Sequence, residues 1–159
     1  YALTYGKENE IVISSFDSDF FQLITDKVSV LRYRGDKTTI CTPKYIKDKF
    51  NITPFQYADF KSLTGDTSDN IKGADKVGPK TAALLLNEFS SLENIISNAD
   101  GIKKPSIKQS IIRNAEKIRT NYKIIKLDNS AQLPFDMSEL AYKFNGITTN
   151  EVLKGVGLK

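Results

Sequence analysis

The chain has 159 residues, of which 40% are hydrophobic and 26% charged, so it can form one soluble domain with a core or a piece of a larger one. Its net charge of +4 is compatible with nucleic-acid binding but does not require it, and no apolar run approaches the ~18 residues that a membrane span needs. The absence of histidine excludes histidine-based triads and histidine-ligated zinc. The single cysteine, Cys41, excludes an internal disulfide and favours a reducing compartment such as the cytoplasm.

The first 63 residues predict short strands that alternate with short helices. An apolar, β-branched run at 10–14 indicates a buried strand of the parallel type. The other segments expected here are a helix end at 1–7, a short helix at 18–25, strands at 28–31 and 38–41, and proline-initiated helices from Pro43 to Phe50 and from Pro54 to Leu63.

From Gly65 onward the pattern is helical. Helices are expected at 79–89, at 91–98 with Ser91 as the cap, and at 106–119, with 121–127 extending or following the last one. The tail from Asn129 is weakly patterned and predicts no element. The aromatic residues of the chain are expected to lie in the core rather than to stack on bases, namely Phe16, Phe20, Phe21, Phe50, Phe55, Tyr57 and Phe60.

One buried strand at 10–14 implies a parallel sheet with neighbours on both sides, and the chain offers only two weaker strands. An isolated apolar strand would leave its edge unpaired. We therefore expect the sheet to be completed by sequence that precedes Tyr1, and we interpret the chain as the second half of a domain.

Asp17 and Asp19 directly follow the predicted strand, where ligand and metal sites of open α/β sheets gather. In extended backbone both side chains point to the same side, so they could share a divalent cation. The alternative is that Asp17 or Ser18 only caps the next helix.

Asp66 and Asp69 are spaced so that a helical turn would make their side chains neighbours. Like charges at this distance favour a counter-cation, although Asp66 could instead be a helix N-cap with Asp69 in the first turn. Without histidine, any metal must be held by oxygen, which favours Mg²⁺ or Mn²⁺. Both pairs together, hereafter the aspartate group, favour a metal site formed by Asp17, Asp19, Asp66 and Asp69.

A turn leads into a helix at Gly78-Pro79-Lys80-Thr81. Glycine allows close backbone approach, proline suits the first helical turn, and the free N–H groups with Lys80 could hold a phosphate. An ordinary helix start with a solvated lysine would have the same sequence, and the spacing does not match a P-loop.

Five motifs in order resemble the 5′-nuclease family, which includes the 5′→3′ exonuclease domain of bacterial DNA polymerase I and the flap endonucleases. They are S-x-D-x-D-F-x-Q-L at 15–23, D-K-V at 26–28, G-D-x-S-D-N-I-x-G at 65–73, V-G-x-K-T-A at 77–82 and S-L-E-N-I at 91–95.

The resemblance implies an α/β fold, with the C-terminal part of a PIN-like nuclease core, a mostly parallel sheet with flanking helices, at 1–63. It implies a helix-hairpin-helix region at 64–127, followed by a weakly patterned segment at 128–159. The implied activity is structure-specific cleavage of DNA at 5′ ends and flaps with two Mg²⁺ ions, the aspartate group holding the second metal cluster.

The resemblance also implies that one segment grips the DNA backbone, with a monovalent cation such as K⁺ nearby in some members. The implied DNA-binding residues are Gly73, Lys76, Val77, Gly78, Pro79, Lys80 and Thr81.

Two departures from the family pattern matter. Lys76 replaces the first glycine of the usual G-[IV]-G turn, which bears on the turn geometry and on the monovalent cation. The family's first metal cluster comes from an early strand and an acidic helix motif that this chain does not contain, so the N-terminal half of the nuclease domain, and in some relatives a polymerase domain, are the expected partners. The alternatives are a non-catalytic helix-hairpin-helix module that binds duplex DNA and a PIN-type ribonuclease.

Overall fold

A computed structural model describes residues 1–142 and 146–157 of the chain. Residues 143–145 and 158–159, which belong to the predicted segment 128–159, lie outside the described part. The chain divides into two compact units, one formed by Ala2–Asn129 and the other by Tyr1 with Ser130–Lys159. No helix of the described residues is long and apolar enough to cross a membrane.

The first half of the larger unit alternates strands and helices, as the sequence predicts. Its elements are α1 (Ala2–Tyr5), β1 (Ile11–Ser14), a 3₁₀ helix (Ser18–Leu23), β2 (Val28–Arg32), β3 (Thr39–Cys41), α2 (Pro43–Phe50), a 3₁₀ turn (Pro54–Gln56) and α3 (Tyr57–Thr64).

The second half is mainly helical. Its elements are the short strands β4 (Gly65–Asp66) and β5 (Ile71–Lys72), then α4 (Pro79–Phe89), α5 (Leu92–Ser97), a 3₁₀ turn (Ala99–Gly101) and α6 (Pro105–Ile125). The Ser91 side chain accepts a hydrogen bond from the N–H of Asn94 and so caps α5 as predicted.

The three-stranded sheet has the order β1-β2-β3, with β1 parallel to β2 and β2 antiparallel to β3. Only one of the two strand pairings is parallel, so these three strands by themselves do not form the mostly parallel sheet that was predicted. Val30 and Cys41 are cross-strand neighbours on the buried face. On the opposite face Val12 and Ile40 are each 58% exposed, so β1 is not buried on both sides as predicted.

The segment 65–72 is a β-hairpin and not the expected helical turn. Gly65 has φ +83°, and a Cβ there would lie 2.5 Å from the carbonyl oxygen of Ile71. Only glycine fits this conformation and contact, so α3 ends at Thr64 and the chain reverses through the turn before Asn70, which also has positive φ.

The core lies around α3, which packs against α4 and α6. Phe21, Phe50, Tyr57 and Phe60 form an aromatic cluster with ring centroids 5.2–6.3 Å apart. Three of its contacts are edge-to-face, Phe21–Phe50 is tilted and Tyr57–Phe60 is stacked. The sequence predicts that seven aromatic residues lie in the core, and this prediction is wrong for two of the seven. Phe16 is 51% exposed and Phe55 is 75% exposed.

The last two helices bear on the prediction for the C-terminal part of the chain. Helix α6 continues to Ile125, which confirms the alternative that residues after Asn121 extend the helix expected at 106–119. In the smaller unit, α7 (Thr149–Gly155) lies in the tail for which no element was predicted. Thr148 and Glu151 form a capping box there, a sequence signal that could have identified this helix.

Candidate functional site

Asp17 and Asp19 lie at the carboxyl end of β1, at the start of the first 3₁₀ helix. Asp17 is the N-cap of that helix, because its Oδ1 accepts a hydrogen bond of 2.9 Å from the N–H of Asp19. The capping interpretation is therefore correct for Asp17. Asp19 differs, because its Oδ1 is buried and has no hydrogen-bond partner among the described residues.

Asp66 is 4% exposed at the end of β4, whereas Asp69 is exposed in the turn that follows. Oδ1 of Asp66 accepts hydrogen bonds from the N–H (3.1 Å) and the hydroxyl (2.5 Å) of Ser68, and Oδ2 forms an ion pair with Lys61. Burial raises the pKa of Asp66, but the bonds from Lys61 and Ser68 more than offset burial, and the net pKa is lowered.

Asp19 lies close enough to the other three members of the aspartate group to interact with them electrostatically. Burial, followed by repulsion from Asp17, Asp66 and Asp69, raises the pKa of Asp19 to about 6, and Lys61 opposes this rise. Two loops that are far apart in sequence thus bring their carboxylates to one place. Among the described residues, however, no three acidic side chains are already spaced to hold a metal ion.

Sequence reasoning missed two residues that support this site, Lys61 and Tyr57. Lys61 reaches Asp66 from the last turn of α3, and the Tyr57 hydroxyl forms a hydrogen bond with Ser18, which lies between Asp17 and Asp19 in the chain. Burial, and to a smaller extent the charges of Asp19 and Asp66, raise the pKa of Tyr57 to about 12. Neighbours on a helix are three or four residues apart, whereas Lys61 and Asp66 are five apart, so no sequence signal identified the pair.

The predicted backbone-gripping segment runs from Gly73 to Thr81 and joins the β-hairpin to α4. A Cβ on Gly73 would lie 2.4 Å from the carbonyl oxygen of Leu63, so this position requires glycine. Lys76 adopts φ +63°, the conformation in which a glycine is expected, so the turn forms despite the substitution. Within the segment from Gly73 to Thr81, the exposed residues at the start of α4 are Gly78, Pro79 and Lys80.

Val77 is 4% exposed and packs in the core, so its side chain anchors the segment and leaves only its backbone for a ligand. Two polar residues of α6 fix the neighbouring backbone. The Asn121 amide donates to the carbonyl oxygens of Ser62 (3.2 Å) and Lys72 (3.0 Å), and the Ser110 hydroxyl donates to that of Asp75. The hairpin that carries Asp66 is thereby attached to α6.

Residues 52–146 match the protein family described as 5′-3′ exonuclease, C-terminal SAM fold. A thermostable DNA polymerase I of Thermus filiformis is 38% identical over 131 residues, which are 82% of this chain and 15% of that protein. A 5′-3′ exonuclease of Buchnera aphidicola subsp. Acyrthosiphon pisum is 35% identical over 147 residues, 86% of this chain and 49% of that protein. The chain therefore spans about half of one relative and a small part of the other.

A solved structure of the bacteriophage T5 flap endonuclease, a pseudo-enzyme-product complex with DNA and metal ions, has a similar fold. The similarity has a TM-score of 0.68 at 22% identity and covers 78% of this chain and 46% of that one. At this identity the comparison establishes that the two chains share a fold.

Proposed function

Because the chain belongs to the 5′-3′ exonuclease family, whose C-terminal SAM fold domain it carries, we propose that it is part of a structure-specific 5′ nuclease that hydrolyses DNA phosphodiesters with divalent cations. The observation that carries the proposal is the convergence of the aspartate group on Asp19. Such a concentration of negative charge from two separate loops is unfavourable unless a cation, a proton or a lysine offsets it.

The residues of the site fit a hard divalent cation. Carboxylate oxygen is the ligand type that Mg²⁺ and Mn²⁺ prefer, and the buried Oδ1 of Asp19 lacks a donor among the described residues. We assign the aspartate group to the second metal cluster of the enzyme. A pair of cations bound in the complete site would lower the pKa of an attacking water and stabilise the negative charge on the leaving 3′ oxygen.

Neighbouring residues of the same chain hold the carboxylates of the aspartate group in place. Ser68 fixes Oδ1 of Asp66, and Lys61 balances the charge of its other oxygen. Asp17 caps the start of the 3₁₀ helix by accepting from the N–H of Asp19, whose Oδ1 is buried and has no donor among the described residues. No protein base is required for this chemistry, in agreement with a sequence that has no histidine.

We further propose that the segment from Gly73 to Thr81 and the helices of residues 64–127, beginning with α4, act as a helix-hairpin-helix that holds the duplex backbone. The exposed Lys76 and Lys80 and the free N–H groups at the start of α4 suit phosphate contacts, which carry no base information. Backbone carbonyls of this segment could also hold K⁺. In this assignment residues 1–63 complete a PIN-like core, 64–127 bind DNA and 128–159 form a separate segment.

The partners we propose are DNA with a 5′ end or flap and the N-terminal half of the nuclease domain, which supplies the first metal cluster. The T5 enzyme that shares the fold was solved with DNA and metal ions, which supports this assignment. Because half of the metal ligands are then outside this chain, we expect the 159 residues alone to cleave DNA poorly or not at all.

The test uses the full-length protein and a labelled 5′-flap DNA with Mg²⁺. Asp66→Asn should abolish cleavage and leave DNA binding, measured by fluorescence anisotropy, nearly unchanged. Asp48→Asn, which removes an exposed carboxylate paired with Lys44, is the matched control and should cleave normally. Full cleavage by Asp66→Asn would show that Asp66 holds no catalytic metal. Absence of cleavage by the wild-type protein would favour a non-catalytic DNA-binding module, and preferred cleavage of a matched RNA flap would favour a ribonuclease.

A further inference from the structure

Phe16 is an exposed aromatic residue directly before the first member of the aspartate group. Its side chain is 51% exposed, although the guanidinium of Arg34 stacks on its ring with the Cζ atom 5.2 Å from the ring centroid. This cation–π contact covers part of the ring and leaves the rest open to a ligand. We call Phe16, Arg32 and Arg34 the aromatic–cationic patch.

The patch lies at the carboxyl end of the parallel strands β1 and β2, where Asp17 and Asp19 also lie. β1 and β2 are parallel, so the residues that follow them, Phe16 and Arg34, emerge at one end of the sheet. The N–H of Ser15 donates to the carbonyl of Leu31 (3.1 Å), and Nη2 of Arg32 donates to the carbonyl of Phe16 (2.9 Å). These bonds fix the backbone of Phe16, so the position of the ring follows from the fold.

The charge of the patch is available to a ligand. Within residues 1–142 and 146–157, neither Arg32 nor Arg34 forms a salt bridge with an acidic side chain. A flat apolar ring beside unneutralised guanidinium groups is complementary to a nucleotide, which has a flat base and an anionic phosphate. Duplex DNA hides its base faces, so the complementary ligand is single-stranded.

We propose that the aromatic–cationic patch binds an unpaired nucleotide of single-stranded DNA, with the base stacked on Phe16 and the phosphate beside Arg34. The proposal rests on the proposed nuclease function and names the part of the substrate that this surface receives. Phe16 directly precedes Asp17 along the chain, so a nucleotide stacked on Phe16 lies near the aspartate group. The patch thereby favours DNA with an unpaired nucleotide near that group.

The test measures binding of the full-length protein to a fluorescein-labelled thymidine 12-mer by anisotropy in EDTA, where no cleavage is needed. Phe16→Ala should weaken binding at least about fivefold, and Phe16→Trp should retain it, because base stacking on an aromatic ring contributes to affinity in this range. Phe55→Ala removes a phenylalanine elsewhere that is even more exposed, 75% against 51% for Phe16, and should bind like wild type.

A second probe, an abasic 12-mer with the same phosphates, separates stacking from charge. Phe16→Ala and wild type should bind it equally, whereas Arg34→Ala should weaken both oligomers and lower the salt slope of binding by ~0.7. Unchanged binding of the thymidine oligomer by Phe16→Ala, or an equal loss on the abasic one, overturns the proposal. Tighter Phe16-dependent binding of a uridine RNA overturns the assignment to DNA. If cleavage remains dependent on Asp66 while the patch variants have no effect, only this inference fails.

Discussion

Lys61 forms an ion pair with Asp66 inside the molecule, with 15% of the lysine side chain and 5% of the aspartate side chain exposed. This pair joins the last turn of α3 to the β-hairpin and places a fixed positive charge within the aspartate group. A cation that enters the group must therefore share Asp66 with Lys61. The pair is consequently both a structural contact and a competitor for the site.

Replacing Lys61 tests this competition. Lys61→Met leaves a buried carboxylate without its partner and should destabilise the protein by about 3 kcal/mol in EDTA. Because a divalent cation can then offset the charge of Asp66, Mg²⁺ should raise the stability of the variant more than that of wild type. Chemical denaturation with and without Mg²⁺ measures both effects. Lys44→Met breaks an exposed pair and should change neither, and an equal Mg²⁺ effect in Lys61→Met and wild type would contradict the prediction.

Asp59 should make the protein less stable at neutral pH than in mild acid. Its burial in α3 raises its pKa from 3.8 to about 6, against a hydrogen bond from the N–H of Leu92 and the charge of Lys126. The folded state thus binds this proton more tightly than the unfolded chain, and the contribution of Asp59 to stability falls as the pH rises through 6.

Asp59→Asn removes the charge and keeps an oxygen for the Leu92 N–H. It should stabilise the protein by about 2–3 kcal/mol at pH 7 and flatten the dependence of stability on pH between 4 and 6. Denaturation at several pH values checks this. The exposed Asp48→Asn should retain the wild-type dependence, and a destabilised Asp59→Asn at pH 7 would show that the carboxylate has another role.

Asn121 should control the mobility of the hairpin that carries Asp66. Asn121→Ala leaves the buried carbonyls of Ser62 and Lys72 without their donor, which costs about 1–3 kcal/mol for each group that stays unpaired. Hydrogen exchange of the amides at 65–72 should become faster than in wild type. Thr120→Ala, which removes an exposed hydroxyl that donates to the Glu116 carbonyl within α6, is the control. Faster exchange everywhere instead of at the hairpin would indicate a general loss of stability.

Lys76 combines an unfavourable backbone conformation with a charge next to the proposed DNA contact. Lys76→Gly removes the cost of a side chain at φ +63° and should stabilise the folded protein by up to about 1 kcal/mol. If Lys76 contacts a phosphate, the same change should weaken duplex binding and lower the log–log salt slope by ~0.9. Lys80→Ala should lower the slope without the gain in stability. Unchanged salt dependence in both variants would remove these lysines from the DNA contact.

Much of the fold was predictable because local rules decide it. Prolines at 43 and 79 begin helices at the first helical position, and Ser91 caps the next helix, since these effects depend only on neighbouring backbone. The hairpin at 65–72 was missed because the spacing of Asp66 and Asp69 suits a helical turn as well. The decisive factor there is the positive φ of Gly65, which close contact with the strand β5 imposes.

The sequence by itself determined which residues could hold a cation, because a chain without histidine leaves carboxylates as the hard ligands, and the order of its motifs indicated the family. Only the tertiary structure decided that Asp19 keeps a buried oxygen without a donor in the described part of the chain, that Lys61 pairs with Asp66, and that Phe16 is exposed beside Arg34. These relationships join residues from separate elements. Burial and electrostatic interaction depend on distances in the folded chain, which spacing along the sequence does not specify.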